Sequence, residues 1–362
     1  MELLRRDPRQ AARLGVPRRH RAGVAELLCG SVGGSSVTDA ILVTGAAGFI
    51  GSNYIDYLRE RTSFVPVVLD RFDDFSVVPR KCFAAMGVEV IRHDLTYPIK
   101  YSPAMAELAP HLKYIVHMAA GSHVDRSIAD PASFTADNVL GTVHLLEWVR
   151  ANAPQAKVLY FSTDEVFGPA ANDQVFGEFD RHEPNNPYAA SKSGGEMACP
   201  AYANTYGLQI AISHCSNVFG PRQHAEKFVP LAIQKILSGE KLLIHARDGV
   251  PSSRIYIHVT DVCRAIQTIL EHGDTIVTGT RSGRYNISGK AEVSNVEVAL
   301  TLARFLERPL HYELVEDVPN RPRHDQRYAI SWDRLRDLGW EPRIGLENGL
   351  AQLCHAALGA AA

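Results

Sequence analysis

The chain has 362 residues, 46% of them hydrophobic, enough to bury a large core and long for one compact domain, so a main domain with a smaller companion is expected. Its 38 basic and 40 acidic residues leave a net charge of −2, which excludes an overall field that would draw nucleic acid or an anionic membrane, and no apolar run approaches the roughly 20 residues of a bilayer span. The six cysteines (Cys29, Cys82, Cys199, Cys215, Cys263, Cys354) show no Cys-x-x-Cys pair and no Cys/His spacing suited to zinc; they read as reduced packing residues of a cytoplasmic protein, with no metal site expected.

Residues 1–39 stand apart, with seven arginines against four acids and then Gly30, Gly33 and Gly34 among serines and valines. An Arg-rich, acid-poor start suits an organelle transit segment. Strong Ser content and a clean amphipathic pattern are missing, so a disordered tail or a misassigned start is the preferred reading.

From Ala40 the character changes. Ile41-Leu42-Val43-Thr44 predicts a short apolar strand, followed at once by Gly45-Ala46-Ala47-Gly48-Phe49-Ile50-Gly51 and a helical pattern through Tyr54, Ile55 and Leu58. Strand, glycine turn and helix in that order are the context of a dinucleotide fingerprint: the first glycine turns the chain, the second admits a pyrophosphate and the third packs helix on strand. The next strand, Pro66 to Asp70, ends in a carboxylate 19 residues beyond Gly51, placed to bond a ribose 2′-hydroxyl and repel a 2′-phosphate, so NAD is expected over NADP. Arg71 follows directly and could hold a phosphate. A third strand, Val88 to Ile91, leads to Asp94 and Leu95 at the adenine edge. A fourth, Tyr114 to His117, runs into Ala119, Ala120 and Gly121, small enough for backbone to lie against a cofactor.

Apolar strands alternating with helices predict an α/β fold: a Rossmann-like, doubly wound parallel sheet with a smaller C-terminal α/β substrate domain. The boundaries expected are 40–214 for the first, with 242–268 returning to it, and 215–355 for the second. The fifth strand, Val158 to Phe161, ends in Ser162-Thr163-Asp164-Glu165, at the edge where such sheets bind ligands. Two carboxyls tuned apart could protonate a leaving hydroxyl and remove a carbon-bound proton, provided the chain bends near Gly168-Pro169 to bring both to one side. Asn186 and Pro187 then predict a helix start, with Tyr188 and Lys192 on one face; Lys192, the helix N-terminus and a positively charged nicotinamide ring are together expected to lower the proton affinity of the Tyr188 phenol. Together these point to an oxidation coupled to loss of water.

Four strings, Gly45-x-x-Gly48-x-x-Gly51, Ser122 to Ile128, Ser162 to Gly168 and Tyr188 to Lys192, carry a resemblance to the extended short-chain dehydrogenase/reductase group, within it to the nucleotide-sugar 4,6-dehydratases. Ser216 to Pro221, Glu226 to Pro230, Arg254 and Asn320 to Tyr328 extend it almost to the C-terminus. The resemblance implies that Tyr188 takes the C4 hydroxyl proton of a sugar nucleotide with Thr163 on the C4 oxygen, and that Glu165 removes the C5 proton as Asp164 protonates the departing C6 hydroxyl. It implies substrate contacts from Ser122, His123, Asp125, Asn217, Lys227 and Arg254, and from Arg321, His324 and Asp325 in a C-terminal segment closing over the site. A nucleoside-diphosphate glucose is the expected partner, dTDP-glucose favoured over UDP-glucose, and a homodimer the expected assembly. Thr163-Asp164-Glu165 disfavours a UDP-sugar 4-epimerase or UDP-glucuronate decarboxylase, and the presence of Tyr188 and Lys192 disfavours a non-catalytic NAD-sensing protein. Departures at Gly121, His245 and Arg323, and in Arg71 to Phe75, fall near the nucleotide and leave its base open.

Overall fold

A computed structural model describes residues 39–100, 102–171, 173–316 and 325–361. All five side chains of β1 (Ala40–Thr44) are buried. Alternation along a strand sends Ile41 and Val43 to one face and Ala40 and Leu42 to the other, and helices cover both faces, so an uninterrupted apolar run is required. The same reason shapes β2 (Val65–Asp70), β4 (Leu112–His117), β5 (Lys157–Thr163) and β6 (Ile210–Cys215), whereas β3 (Glu89–Arg92), at the sheet edge, is only partly buried and carries a charged residue at each end.

These six strands and a later one, β11 (Arg284–Ile287), form a seven-stranded sheet in the order β11-β6-β5-β4-β1-β2-β3, every neighbouring pair parallel. Chain order reverses between β1 and β4. Loops leaving these two strands diverge there and open a crevice at the carboxyl edge of the sheet. The helices Phe49–Arg61 and Val259–His272 cover one face, and Gly141–Asn152 and Pro187–Tyr206 the other.

The remaining strands are β7 (Asn217–Phe219), β8 (Leu242–Arg247), β9 (Val250–Pro251), β10 (Ser253–His258), β11 (Arg284–Ile287), β12 (Glu292–Ser294) and β13 (Tyr312–Val315). Two three-stranded sheets, β12-β10-β7 and β13-β8-β9, belong to the second half of the chain. Their core gathers Val229, Ala232 and Ile236 with Val298, Leu302, Leu306 and Leu350 from three helices, Phe228–Ser238, Asn295–Leu306 and Leu346–Ala361. The return expected over 242–268 is displaced: β8 pairs with β13 and β10 with β7, and the chain rejoins the main sheet only with the helix Val259–His272 and β11. That helix locks onto Phe49–Arg61, where the Tyr54 hydroxyl donates to Gln267 Oε1 at 2.9 Å. Its amphipathic face was readable, but a partner some 200 residues away was not. Among the described residues no helix is long and apolar enough to cross a membrane. Residues 1–38, with the targeting question they raise, lie outside the described residues.

Candidate active site

The glycine turn is tight for steric reasons. Gly45 has φ +69°, and a Cβ there would stand 2.6 Å from the Ala119 nitrogen; a Cβ on Gly51 would meet the Gly45 carbonyl at 2.5 Å. Gly48 is the N-cap of the helix Phe49–Arg61 and places no side chain over its opening amides. Asp70 joins β2 to this turn: Oδ2 accepts from the Ala47 amide at 2.9 Å and Oδ1 from the Phe72 amide at 2.8 Å. Burial pushes its carboxyl up from the ordinary range. Arg71 does not face a ribose phosphate position unengaged, because its guanidinium holds Asp73 at 2.5 Å and Asp137 at 2.8 Å. Helix-start amides, an acid at the end of β2 and a tethered arginine fit an NAD-type dinucleotide without a 2′-phosphate.

Asp94 turns into its own loop, accepting from the Thr96 amide at 2.9 Å and the Thr96 hydroxyl at 2.8 Å, while Leu95 is buried with its carbonyl on His144 Nδ1 at 2.8 Å. The Ala119 amide donates to Thr44 Oγ1 at 3.1 Å. Next to Ala120, Gly121 exchanges two hydrogen bonds with the Asn138 side chain, at 2.8 and 3.0 Å, and Asn138 also donates to Ser191 Oγ at 2.8 Å. Asn138 thereby ties the cofactor-side loop to the helix that carries Tyr188; it was missed because a lone buried amide has no sequence signature. A Cβ on Gly121 would come within 3.1 Å of the Phe134 ring, whose edge packs on Tyr188 with centroids 6.5 Å apart.

The bend needed after β5 is present. Thr163 caps a short 3₁₀ turn, Asp164–Phe167, its hydroxyl accepting from the Glu165 amide at 3.4 Å, and Gly168 at φ +80° passes so close to Glu183 that a Cβ would lie 2.3 Å from its carbonyl. Asp164 is buried (4% exposed) and Glu165 only partly so. Burial, with the Glu165 charge second, pushes the Asp164 carboxyl up to about 7, against the pull of Arg254. Glu165 Oε2 accepts from Asn186 Nδ2 at 3.0 Å and from the Tyr328 hydroxyl at 3.4 Å.

Asn186 also caps the helix Pro187–Tyr206, accepting from the Ala189 amide at 2.8 Å, and the Tyr188 amide donates to Ser127 Oγ at 3.0 Å. Among the protein's own groups, burial and then the Glu165 charge push the Tyr188 phenol up. The Lys192 ammonium donates to the Phe161 carbonyl at 2.8 Å and sits 4.4 Å from the centroid of the Tyr160 ring. Burial brings that ammonium down to about 8.

Substrate-side residues converge unevenly. Lys227 Nζ donates to the Ser122 carbonyl at 3.1 Å; His123 caps the helix Val124–Ala129, which carries Asp125, and lies 3.5 Å from Glu226. Asn217 is exposed at the start of β7, in register with Tyr256. Arg254, expected on a diphosphate, is buried and turns donors to the carbonyls of Asp325 and Gln326, both at 2.9 Å, with its guanidinium 4.9 Å from the Tyr328 ring centroid. A buried cation needs such acceptors. Through Arg254, and through Asn185 donating to Asp325 Oδ1 at 2.6 Å, the segment from Asp325 is drawn over Glu165. Asp325 also accepts a hydrogen bond from the Tyr328 hydroxyl. Arg321, Arg323 and His324 lie outside the described residues.

A glycine turn at the switch point of a doubly wound sheet, facing Tyr188, Lys192 and two acids of unlike burial, defines a dinucleotide-binding α/β oxidoreductase-type site with elimination chemistry attached. Residues 42–353 match the family described as GDP-mannose 4,6 dehydratase, and the chain belongs to that family. It is 37% identical over 319 residues to the low-salt glycan biosynthesis protein Agl12 of Haloferax volcanii, covering 86% of this chain and 96% of that one. A dTDP-glucose 4,6-dehydratase of Xanthomonas campestris pv. campestris is 35% identical over 330 residues, covering 86% and 91%. The crystal structure of dTDP-glucose 4,6-dehydratase from Bacillus anthracis in complex with NAD superimposes with a TM-score of 0.75 at 32% identity, over 89% of this chain and 97% of that one.

Proposed function

We propose that this protein is an NAD-dependent nucleotide-sugar 4,6-dehydratase, a hydro-lyase whose substrate is a nucleoside-diphosphate glucose, dTDP-glucose before UDP-glucose. The observation that carries the reading is the unequal setting of two neighbouring carboxyls: Asp164 buried and held up at about 7, Glu165 partly open and held by Asn186 and Tyr328.

When bound, NAD accepts a hydride from sugar C4 and returns it to C6. Tyr188 receives the C4 hydroxyl proton, and Thr163 orients the C4 oxygen. The C4 ketone acidifies the C5 proton, which passes to Glu165. Asp164 gives its proton to the C6 hydroxyl, the C6–O bond breaks, and water leaves. Glu165 returns its proton to C5 as C6 is reduced, Tyr188 gives up the C4 hydroxyl proton to solvent and Asp164 takes one back, so the net change is the loss of one water. Tyr188 starts from a raised proton affinity, so it needs the positive charge of the oxidised nicotinamide as well as Lys192 to act as the acceptor. Lys227, Asn217 and Arg254 line the substrate side. A cytoplasmic homodimer completes the reading, the mass of the purified protein in solution testing the second part.

The reading is tested by incubating purified protein with dTDP-glucose and UDP-glucose separately and following the base-labile absorbance of a 4-keto-6-deoxy product. The dTDP sugar is expected to react faster. No product from either, with bound NAD confirmed, contradicts the proposal.

A further inference from the structure

The helix that presents Tyr188 and Lys192 carries a third ionisable group on the same face, Glu196, one turn beyond the lysine and fully buried. No step of the proposed reaction uses it. Three other segments converge on its carboxylate: His214 of β6 places Nε2 3.1 Å from both oxygens, Arg284 of β11 places Nη1 2.9 Å from Oε1, and His182, in the loop before the helix, places Nε2 3.5 Å from Oε1. His182 is fixed in turn by Ser193 Oγ at 2.9 Å, and His214 by Asn286 Oδ1 at 3.0 Å.

Ligand atoms of His182, Glu196 and His214 lie within 4.8 Å of one another, close enough to suggest a metal. Charge argues otherwise. Arg284 already occupies a carboxylate oxygen and Lys192 lies one turn away, so a divalent ion would add to two cations around a single buried anion. Burial works against the Glu196 charge, yet His214, His182 and Arg284 override it and hold the carboxyl down at about 2.

We infer that Glu196 is a positioning residue for the reaction: it fastens the helix bearing Tyr188 and Lys192 to β6, β11 and the loop of Asn185 and Asn186, and it is the counter-charge of the buried Lys192 ammonium. The groups facing Lys192 are His117 on β4, Tyr160 on β5, and Glu196 and Cys199 on its own helix; of these Glu196 is the main influence opposing the burial that brings the ammonium down. The other three are neutral in this setting, since burial pushes the His117 imidazole down to about 3 and the Tyr160 and Cys199 groups up.

The inference rests on the proposed dehydratase reading, so its test isolates C4 oxidation. In Glu165→Gln, where elimination is blocked, mixing with dTDP-glucose is followed by the absorbance of reduced nicotinamide as a function of pH; the Asp164 charge, which acts on Tyr188, is common to every variant compared. Adding Glu196→Gln should move the alkaline limb of the oxidation rate down by about one pH unit, a tenfold loss of proton affinity at Lys192. Adding Arg284→Gln instead, which removes a cation and keeps Glu196, should move it up, and Glu196→Asp should restore most of the original profile. A limb unmoved by Glu196→Gln, or moved the same way by both Gln variants, overturns the inference; should Glu196→Gln fail to fold, an unmoved or lowered limb in Arg284→Gln does so. Absence of any reduced nicotinamide in Glu165→Gln, with no product from the unsubstituted protein, instead defeats the dehydratase reading itself.

Discussion

Asp164 and Glu165 are adjacent in sequence and unlike in surroundings, and the proposed reaction gives them separate tasks on that difference. Folding favours the protonated form of Asp164, so its contribution to stability is fully present below the unfolded value of about 3.9 and is lost as pH rises toward the folded value of about 7. Replacing Asp164 with Asn removes that penalty. The variant should melt higher than the unsubstituted protein at pH 8, with a smaller difference at pH 4, while kcat falls by about 10²- to 10⁴-fold, as expected for a lost general acid; scanning calorimetry at the two pH values and steady-state rates check both. Cofactor choice is also settled by single residues. With Arg71 tethered to Asp73 and Asp137, replacing both aspartates with Ala should free the guanidinium, and acid extraction of the purified variant should return a measurably higher share of NADP than the unsubstituted protein. An unchanged NADP share would show that the Asp70 charge alone decides.

At the scale of elements, the helix Pro187–Tyr206 joins several tasks. Its cap residue Asn186 also holds Glu165, so Asn186→Ala should cost about 1 kcal/mol of stability through the lost cap and lower kcat with little change in KM; denaturant titration and kinetics separate the two effects. The helix continues through Pro200, which interrupts one backbone bond in its interior and would by itself argue for a break; burial of Cys199 and Ala203 against the sheet outweighs it. Strands β1, β2, β4 and β5 were legible because burial on both faces demands apolar runs, and the helix start was legible because cap and proline are local signals. What pairs across long separations was not: β11 lies beside β6, and Arg284 beside Glu196, through no pattern in either stretch. Nor did the spacing of Tyr188 and Lys192 along the helix say that the Lys192 ammonium is held by the Phe161 carbonyl.

Over the whole molecule, the site is closed by chain from both halves. A small apolar cluster, Val166, Phe167, Ala170 and Phe176 with Ala329 and Ile330, seals the loop after β5 to the C-terminal segment that brings Tyr328 to Glu165. Phe167 is almost fully buried there, and Phe167→Ala should destabilise the protein by about 3–5 kcal/mol and loosen that closure, raising KM as well as lowering the melting temperature. The sequence read alone already placed Thr163, Asp164, Glu165, Tyr188 and Lys192 in one reaction, whereas Asn138, Asn186 as a partner of Glu165, and the tethering of Arg71 needed the fold. In the proposed reaction, internal return of hydride from C4 to C6 joins the dinucleotide half to the carboxyl pair, and it can be followed directly. Purified protein given dTDP-glucose carrying deuterium at C4 should yield a 4-keto-6-deoxy product with that deuterium in the C6 methyl group, read by NMR or mass; a product with no deuterium at C6, or deuterium lost to solvent, would contradict the account.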